Sequence, residues 1–264
     1  MIANYHVHTA RCRHAVGADE EYVKKAIAEG VKILGFSDHA PCLYPGGYES
    51  YYKMTPDEAP EYFDTLSALR EKYRDKITIY IGYEAEYYPS VWERTLEFWA
   101  SGKSRPEYLL LGQHYAEEEY TPDAVHSADG TDSEAALTLY VDNVIKAIRT
   151  GRFTYIAHPD IFNFFGDLDF YRAEMTRLIL AAKKENTPLE INLLGMRAKR
   201  NYPTSEFWQL AARQGMGAVL GFDAHDPGRV ADRDEILAAL RFADKHGIEI
   251  IENITLKDPF FDMK

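Results

Sequence analysis

Seven of the nine histidines in this chain stand at or just beyond the end of an apolar, β-rich run. These seven are His6, His8, His14, His39, His114, His158 and His225. Two carboxylates, Glu84 and Asp223, occupy the same kind of position. Imidazole nitrogens and carboxylate oxygens are ligands that suit zinc, iron and manganese. Because these groups together exceed what one ion can hold, the pattern predicts two or three divalent ions that share a bridging carboxylate.

Two pairs of these residues are separated by a single position: His6 with His8, and Asp223 with His225. Residues i and i+2 of a strand point to the same side, so each pair can present two ligands to one site. A lone histidine at a strand end is more often a hydrogen-bonded structural residue than a ligand. Scattered structural histidines would not gather at strand ends in this way, so the whole set favours a metal site.

Four other potential ligands are predicted to take no part in metal binding. His126 lies in a polar loop and His246 late in a helical run, so both are expected to be solvated. Cys12 and Cys42 lack the Cys-x-x-Cys spacing of a thiolate site and are expected to be structural.

The elements that must position these residues alternate between strand-like and helix-like runs. Strands are predicted near residues 2–7, 31–37, 77–83, 107–113, 153–157, 188–193, 217–222 and 248–253. Helical spacing of apolar residues predicts helices near 19–29, 56–74, 90–101, 133–149, 170–186, 204–215 and 231–246, with Asp132 and Ser133 as caps and Gly151 as a stop for the fourth. Repeated strand–helix units imply an α/β fold with a parallel sheet covered by helices. Seven or eight units favour a (β/α) barrel over an open doubly wound sheet, and both place functional residues at the carboxyl ends of the strands.

The composition is that of an ordinary globular protein. With 46% hydrophobic and 27% charged residues in 264, a single domain over residues 1–264 is expected. No apolar run approaches the ~20 residues of a membrane-spanning helix, and the first residues lack the pattern of a signal peptide. Two cysteines favour a reducing cytoplasm. A net charge of −12 disfavours a nucleic-acid partner, because such binding depends on lysine and arginine.

The order of the predicted ligands resembles that of the PHP (polymerase and histidinol phosphatase) superfamily. The matching motifs are His6-x-His8, His14, Asp38-His39, Glu84, His114, His158 and Asp223-x-His225. Within this superfamily, the segments 82–89, 157–160 and 189–203 are similar to those of monofunctional histidinol-phosphate phosphatases. The chain departs from that pattern at Leu193-Leu194, where small polar residues are expected.

The resemblance implies a distorted (β/α)7 barrel, related to the TIM barrel, with a site for three ions of zinc, iron or manganese at the carboxyl ends of the strands. The implied groups are His6, His8, Glu84 and Asp223 for one ion, Glu84, His114 and His158 for the second, and His14, His39 and His225 for the third. Glu84 is then the bridging carboxylate. Asp38 is expected to orient a ligand histidine, and Glu86 either does the same or faces solvent.

The resemblance also implies an activity, the hydrolysis of L-histidinol phosphate to L-histidinol and phosphate in histidine biosynthesis. The expected mechanism is attack of a metal-bridging hydroxide on phosphorus. The predicted catalytic residues are Glu84, Asp223, His225 and Arg197. Arg197 would clamp the phosphate, and Asp223 or His225 would protonate the leaving oxygen. Asp160 or Glu190 could meet the substrate ammonium group, and aromatic walls are predicted from segments 42–52 and 161–165.

Three alternative functions remain open at this point. One is a PHP phosphoesterase that acts on another small phosphate ester, a nucleotide or phosphotyrosine. A second, of another class, is a regulatory module that binds metal without turnover, although the full set of ligands argues against it. The third is a metal-dependent amidohydrolase, disfavoured because the chain lacks the expected bridging lysine. The expected partner is a small-molecule phosphate ester rather than nucleic acid or a membrane, for a monomer or homodimer in the cytoplasm.

Overall fold

The computed structural model describes residues 3–122 and 124–263. Its seven strands lie side by side in chain order, and every neighbouring pair is parallel. The strands are β1 (Ala3–Asn4), β2 (Ile33–His39), β3 (Thr78–Ala85), β4 (Leu109–Leu111), β5 (Phe153–Ile156), β6 (Leu189–Asn192) and β7 (Ala218–Gly221). This order confirms the predicted barrel, because a doubly wound sheet would reverse its strand order at a switch point.

Helices follow the strands and pack on the outside of the sheet. They are α1 (Asp19–Ala28), α2 (Ala59–Tyr73), α3 (Trp92–Ala100), α4 (Glu134–Arg149), α5 (Leu168–Lys184), α6 (Leu193–Ala198), α7 (Ser205–Arg213) and α8 (Arg233–His246). Ser133 caps α4 as predicted, because its side chain accepts a hydrogen bond from the Ala136 N–H. Within the described residues, no helix has the length and apolar character needed to cross a membrane.

The first and last strands meet at a short seam. One isolated parallel bridge joins Val7 to Ala224. The His8 N–H donates to the Ala224 carbonyl at 3.0 Å, and the Ala224 N–H donates to the His6 carbonyl at 3.2 Å. The barrel is therefore nearly closed, and its seam runs between the two predicted His-x-His and Asp-x-His ligand pairs.

A small apolar cluster fills the half of the barrel that lies away from the predicted ligands. Its buried members are Tyr5, Tyr108, Leu110, Tyr155 and Val219. The Tyr108 ring occupies space left by Gly35 and Gly82, where a Cβ atom would overlap it. The Tyr108 hydroxyl lies 2.9 Å from the Tyr5 carbonyl oxygen and 3.0 Å from that of Phe36. Because this half is filled, the inside of the barrel is open toward the carboxyl ends of the strands, where the predicted ligands lie.

The eighth predicted strand, residues 248–253, is the part of the strand prediction that is wrong. This segment forms a single parallel bridge, Ile250 with Ala218. The Ala218 N–H donates to the Glu249 carbonyl, and the Ile251 N–H donates to the Ala218 carbonyl, both at 2.8 Å. Its isoleucines resemble the apolar residues of a strand in the sequence, but Ile250 and Ile251 lie over Val219 and its neighbours at the amino ends of the strands.

Helix α6 was not predicted. It contains only six residues, which is too short for an apolar period to appear. It begins directly after β6 because the Asn192 side chain accepts a hydrogen bond from the Gly195 N–H at 2.8 Å. The helix therefore starts at the carboxyl end of a barrel strand, beside the predicted site.

Candidate metal centre

The carboxyl ends of the strands bring the predicted ligands together. His39 and Glu84 are register partners at the ends of β2 and β3, and Nδ1 of His39 lies 3.1 Å from Oε2 of Glu84. The His225 ring stacks on His8 with centroids 4.0 Å apart and on His14 with centroids 4.5 Å apart. Residues more than 200 positions apart in the sequence thus meet across the seam.

Glu84 lies at the centre of this group and is 1% exposed. Its Oε1 faces Nε2 of His158 at 2.7 Å and Nε2 of His114 at 3.7 Å. Its Oε2 faces Nε2 of His6 and Nε2 of His8, each at 3.5 Å. Because its two oxygens face different imidazole nitrogens, Glu84 can bridge two metal ions.

Asp223 supplies the second carboxylate from the end of β7. Its Oδ1 lies 3.1 Å from Nε2 of His8 and 3.7 Å from Nε2 of His6. The backbone at Asp223 has φ +49° and that at His158 has φ +29°, values that residues other than glycine rarely adopt. Backbone strain of this kind concentrates at functional sites, and here it aims two predicted ligands at the same space.

Several ligand atoms are buried without a hydrogen-bond partner among the described residues. They are Nε2 of His6, Nε2 of His8, Nδ1 of His39, Oε2 of Glu84, Nδ1 of His158 and Nε2 of His225. A buried polar atom without a partner costs free energy, and native proteins leave few of them. Ligand atoms lie within 4.8 Å of one another in the groups His6–Glu84–His158, His6–His8–Asp223 and His8–His39–His225. The donor set therefore fits divalent metal ions.

Buried carboxylates hold the far ring nitrogens of two of these histidines. Nδ1 of His6 lies 2.8 Å from Oε2 of Glu190, which is fully buried. Nδ1 of His114 lies 2.8 Å from Oε1 of Glu86. A carboxylate in this position fixes the ring orientation and tautomer of a metal-ligating histidine and raises its basicity.

Other partners take the same role for the remaining rings near the seam. Nδ1 of His8 lies 3.3 Å from Oδ1 of Asp38, and the Thr9 hydroxyl donates to the other oxygen of that carboxylate. Backbone carbonyls lie at Nδ1 of His14 and of His225, at 2.7 and 3.1 Å. In each of these three rings, Nε2 is the nitrogen that remains to face the space between the predicted ligands.

Two glycines make room for the buried carboxylates. A Cβ atom at Gly112, just past β4, would overlap the Glu84 carboxylate. A Cβ atom at Gly221, at the end of β7, would overlap the Glu190 carboxylate. In each case a glycine is required because a carboxylate from a neighbouring strand occupies the space that its side chain would take.

The charges of the group favour ionised carboxylates and keep two of the imidazoles neutral. Burial by itself would raise the pKa of Glu84 and of Asp223, but the surrounding histidines outweigh it and hold both pKa values well below the ordinary range. Burial lowers the pKa of His39 and of His225 well below its usual value, and the neighbouring His8 acts in the same direction. Both of these imidazoles are therefore neutral, which is the form that binds a metal.

A cavity of about 790 Å³ opens over the ligands. Its lining includes the predicted ligands His14, His39, His114, Asp223 and His225. Tyr51 and Tyr52 of segment 42–52 form one wall, whereas segment 161–165 contributes Ile161 and Asn163 rather than its phenylalanines. The cavity is wide enough for a small organic ester beside the metal site.

Two arginines line the same cavity. Arg13 forms an ion pair with Glu58 at 2.6 Å. Arg200 donates to the Tyr202 hydroxyl at 2.9 Å, and no carboxylate of the described residues lies within ion-pair distance of it. Arg200 is thus the guanidinium best placed to receive an anion.

The described residues that line the cavity do not include Arg197 or Asp160. Arg197 forms an ion pair with Glu235 at 2.9 Å, and its Nη2 lies 3.5 Å from the Asp223 carbonyl oxygen. Asp160 is 1% exposed and accepts a hydrogen bond from the Thr204 N–H at 2.6 Å, and burial raises its pKa to about 7. The contact of Arg197 with the phosphate and the contact of Asp160 with the substrate ammonium group therefore stay predictions.

The prediction that His126 and His246 are solvated is wrong. His126 is half-buried and lines the cavity, and its Nδ1 accepts a hydrogen bond from the Ala128 N–H at 3.2 Å. Burial lowers the pKa of His126 to about 4. His246 is 9% exposed, and its Nε2 lies 3.2 Å from Oγ of Ser205. Local polarity did not reveal that the polar loop folds over the cavity or that α8 packs on α7.

Sequence reasoning missed a buried cation behind His114. Lys53 is 2% exposed, and its Nζ lies 2.7 Å from a carboxylate oxygen of Glu86 and 2.7 Å from one of Glu119. Lysine is rarely buried unless it is paired. A lysine directly after Tyr51 and Tyr52 and before Met54 was the signal that could have found it.

Comparisons with known proteins agree with this geometry. A family model described as the PHP domain matches residues 4–193. A probable histidinol-phosphatase from Deinococcus radiodurans is 29% identical over 236 residues, which are 88% of this chain and 89% of that protein. A histidinol-phosphatase from Bacillus subtilis is 26% identical over 261 residues, which are 85% of this chain and 94% of that protein. The structure of histidinol phosphate phosphatase from Lactococcus lactis, complexed with zinc, L-histidinol and phosphate, is similar with a TM-score of 0.72 and 20% identity, covering 96% of this chain and 97% of that one.

The family model covers well over half of the chain and includes the predicted ligands from His6 to His158. It ends before Asp223 and His225, so these two are assigned from their motif and their position alone. The resemblance drawn from the order of the ligands is confirmed: the chain belongs to the PHP domain family.

Proposed function

We propose that this protein is a metal-dependent phosphomonoesterase that hydrolyses L-histidinol phosphate to L-histidinol and phosphate. The observation that carries the proposal is the group of buried, unpartnered ligand atoms around Glu84 beside an open cavity. The relatives named as histidinol-phosphatases, and the similar structure that holds zinc, L-histidinol and phosphate, support this substrate. A single domain over residues 1–264, a cytoplasmic location and a monomeric or homodimeric state stay predictions from the sequence.

We assign three divalent ions to the nine ligands. The groups are His6, His8, Glu84 and Asp223, then Glu84, His114 and His158, then His14, His39 and His225. Zinc is supported by the Lactococcus lactis complex, and the nitrogen and oxygen donors also suit iron and manganese. When bound, the ions would activate water as a nucleophile and neutralise charge on the phosphoryl oxygens.

The side chains around the cavity bind and orient the ester. Arg200 has no carboxylate partner among the described residues, so its planar guanidinium can meet two phosphate oxygens at once. Arg197 would have to leave Glu235 before it could serve the same purpose. Tyr51 and Tyr52 offer an aromatic surface on which an imidazole ring can stack.

Loss of the alcohol requires a proton at its oxygen. Asp223 and His225 both line the cavity, and Oδ1 of Asp223 lies 3.3 Å from Nδ1 of His225. We propose that this pair passes to the leaving oxygen a proton released by the attacking water, because Asp223 is held ionised and His225 neutral beforehand. Glu84 is buried beneath them and remains a ligand rather than a proton donor.

The test is release of phosphate from three esters by protein loaded with zinc or manganese: L-histidinol phosphate, p-nitrophenyl phosphate and a 5′-nucleotide. For L-histidinol phosphate we expect kcat/KM above ~10⁴ M⁻¹s⁻¹, with the other two esters poorer by orders of magnitude. A His39→Ala variant measured in parallel should lose activity on all three esters while it stays folded, which excludes a contaminating phosphatase.

Comparable weak turnover of the three esters would retain a metal phosphoesterase and reject L-histidinol phosphate as its substrate. Turnover restricted to p-nitrophenyl phosphate would favour an aryl phosphate such as phosphotyrosine. No phosphate release from a metal-loaded protein would reject the proposed reaction altogether.

A further inference from the structure

A buried ion cluster lies directly behind His114. Its charged members are Lys53, Glu86 and Glu119, and the rings of Tyr44, Tyr52 and Tyr88 surround the Lys53 ammonium with centroids 5.0–5.5 Å away. Lys53 Nζ lies 2.7 Å from Oε2 of Glu86 and 2.7 Å from Oε2 of Glu119. All three charged side chains are less than 10% exposed. We call this group the Lys53 cluster.

The Lys53 cluster reaches a predicted metal ligand through Glu86. One oxygen of Glu86 contacts Lys53, and the other lies 2.8 Å from Nδ1 of His114 and accepts a hydrogen bond from the Tyr52 hydroxyl at 2.9 Å. The far nitrogen of His114, Nε2, faces Oε1 of Glu84 at 3.7 Å. An unbroken series of contacts therefore runs from the ammonium to the bridging carboxylate.

Two carboxylates buried this close to one ammonium depend on it. Without Lys53, Glu86 and Glu119 would be uncompensated in a buried setting, which is strongly unfavourable. Glu86 would then lose the contact that holds its Oε2, and only the Tyr52 hydroxyl would remain to orient Oε1 toward His114. Orienting partners of this kind typically change metal affinity by 10–100-fold.

We propose that Lys53 is a positioning residue for metal binding, which acts through Glu86 on the ion held by His114, His158 and Glu84. Lys53 also follows Tyr51 and Tyr52 of the cavity wall in the sequence. The same contacts therefore join one wall of the substrate cavity to the metal centre. The inference rests on the proposed metal dependence but not on which ester is hydrolysed.

The test measures metal affinity directly in the full-length protein. Lys53→Met removes the ammonium and keeps an unbranched apolar side chain, and Glu86→Gln breaks the contact between Lys53 and His114 from the other side. Each variant is stripped of metal and titrated with zinc against a chromophoric chelator, and bound zinc is counted by mass spectrometry. We expect one zinc ion to bind 10–100-fold more weakly in either variant. The double variant should bind that ion no more weakly than the weaker of the two single variants, because both substitutions interrupt the same series of contacts.

Two matched variants separate positioning from a general loss of charge or stability. Lys72→Met removes an ammonium from an exposed ion pair with Glu20 and should bind zinc like the parent. Glu119→Gln keeps the contact between Lys53 and Glu86, so it should lower the melting temperature without a selective loss of one ion. The Glu119→Gln variant also keeps the proposal testable if Lys53→Met does not fold. In that case Glu86→Gln must weaken the binding of one zinc ion and Glu119→Gln must leave it unchanged.

Two outcomes would overturn the role of Lys53. One is a Lys53→Met protein that melts at a lower temperature but binds every ion with parental affinity, which would make the residue structural only. The other is an equal loss of zinc in Glu86→Gln and Glu119→Gln. A parent protein that binds no zinc, iron or manganese would instead overturn the proposed function, so the two failures are distinguishable.

Discussion

Glu84 can lie between two sets of imidazoles because the neighbouring strand has no side chain at Gly112. In a Gly112→Ala variant, the new methyl group would occupy the space of the carboxylate and push it out of the ligand group. We expect phosphatase activity to fall at least 100-fold and bound metal to drop. Activity on L-histidinol phosphate and metal content by mass spectrometry check this result.

Gly30→Ala is the control for this variant. Gly30 has φ +78° and nothing within 4 Å of its missing Cβ, so alanine there costs about 1–2 kcal/mol of backbone strain and touches no ligand. It should be less stable than the parent yet fully active. Parental metal content and activity in Gly112→Ala would show that Glu84 does not need the vacant space.

At the scale of residues, the sequence identifies ligands better than it identifies their partners. The nine predicted ligands are imidazoles and carboxylates at or just beyond strand ends, so a parallel barrel predicts their convergence. Glu190 and Glu86 act through single contacts with His6 and His114 across the barrel, and nothing local predicts those pairs. Arg197 and Arg200 lie in one basic stretch, and only the course of α6 decides which of them faces the cavity.

At the scale of elements, the closed end of the barrel serves stability rather than catalysis. The hydroxyl of Tyr108, just before β4, contacts the carbonyl of Tyr5, just after β1, and that of Phe36 in β2. Tyr108→Phe leaves those buried carbonyls without this donor, which costs about 1–3 kcal/mol and lowers the melting temperature by a few degrees. Activity should not change, because the ring lies at the end of the barrel away from the ligands. Calorimetry and the phosphatase assay together check both parts.

Tyr80→Phe provides the comparison for Tyr108→Phe. Tyr80 packs against the same apolar cluster, but its hydroxyl has no hydrogen-bond partner among the described residues. Its removal should leave the melting temperature within a degree of the parent. An equal loss of melting temperature in the two variants would mean that the Tyr108 hydroxyl contributes nothing specific to stability. Lost activity in Tyr108→Phe would contradict the assignment of stability to one end of the barrel and catalysis to the other.

The sequence predicts which elements exist better than where they end. Seven strand-like runs became the seven strands, because each carries the apolar residues that a sheet covered by helices must bury. β1 is shorter than the run near 2–7, because beyond Asn4 the chain keeps only single contacts, such as the Ser37 N–H to the Val7 carbonyl and the bridge from Val7 to Ala224. Residues 248–253 contain three isoleucines but pair at one position only, because Ile250 and Ile251 cover the amino ends of the strands instead of extending the sheet.

At the scale of the whole molecule, metal and protons compete for one set of groups. Burial would lower the pKa of His6, but Glu190, Asp223 and Glu84 outweigh it and raise that pKa to about 10. Protonated His6 therefore stabilises the metal-free fold fully below about pH 6.5, and the contribution is lost as pH rises toward 10. The depressed pKa values of Glu84 and Asp223 stabilise the fold above about pH 4 and are lost as pH falls. These contributions of His6, Glu84 and Asp223 are therefore present together between about pH 4 and about pH 6.5.

With metal present, stability should increase rather than decrease as pH rises above 6.5, because metal binding requires unprotonated imidazoles. At a zinc concentration of about 100 Kd we expect about 2.7 kcal/mol of stabilisation, or about 5–10 °C in melting temperature. At fixed zinc concentration the shift should be larger at pH 8 than at pH 6, and a chelator should abolish it. Thermal melts of the same sample with and without chelator measure the shift, and equal shifts at the two pH values would contradict this competition.

The seam between Val7 and Ala224 has a consequence for how the protein is made. The ligands on its two sides, His6 and His8 and then Asp223 and His225, are separated by almost the entire chain. During synthesis the first pair leaves the ribosome long before the second, so a nascent chain can carry most of the ligands but not the complete site. Full metal loading must therefore follow translation of residue 225, as one of the last events in the maturation of the enzyme.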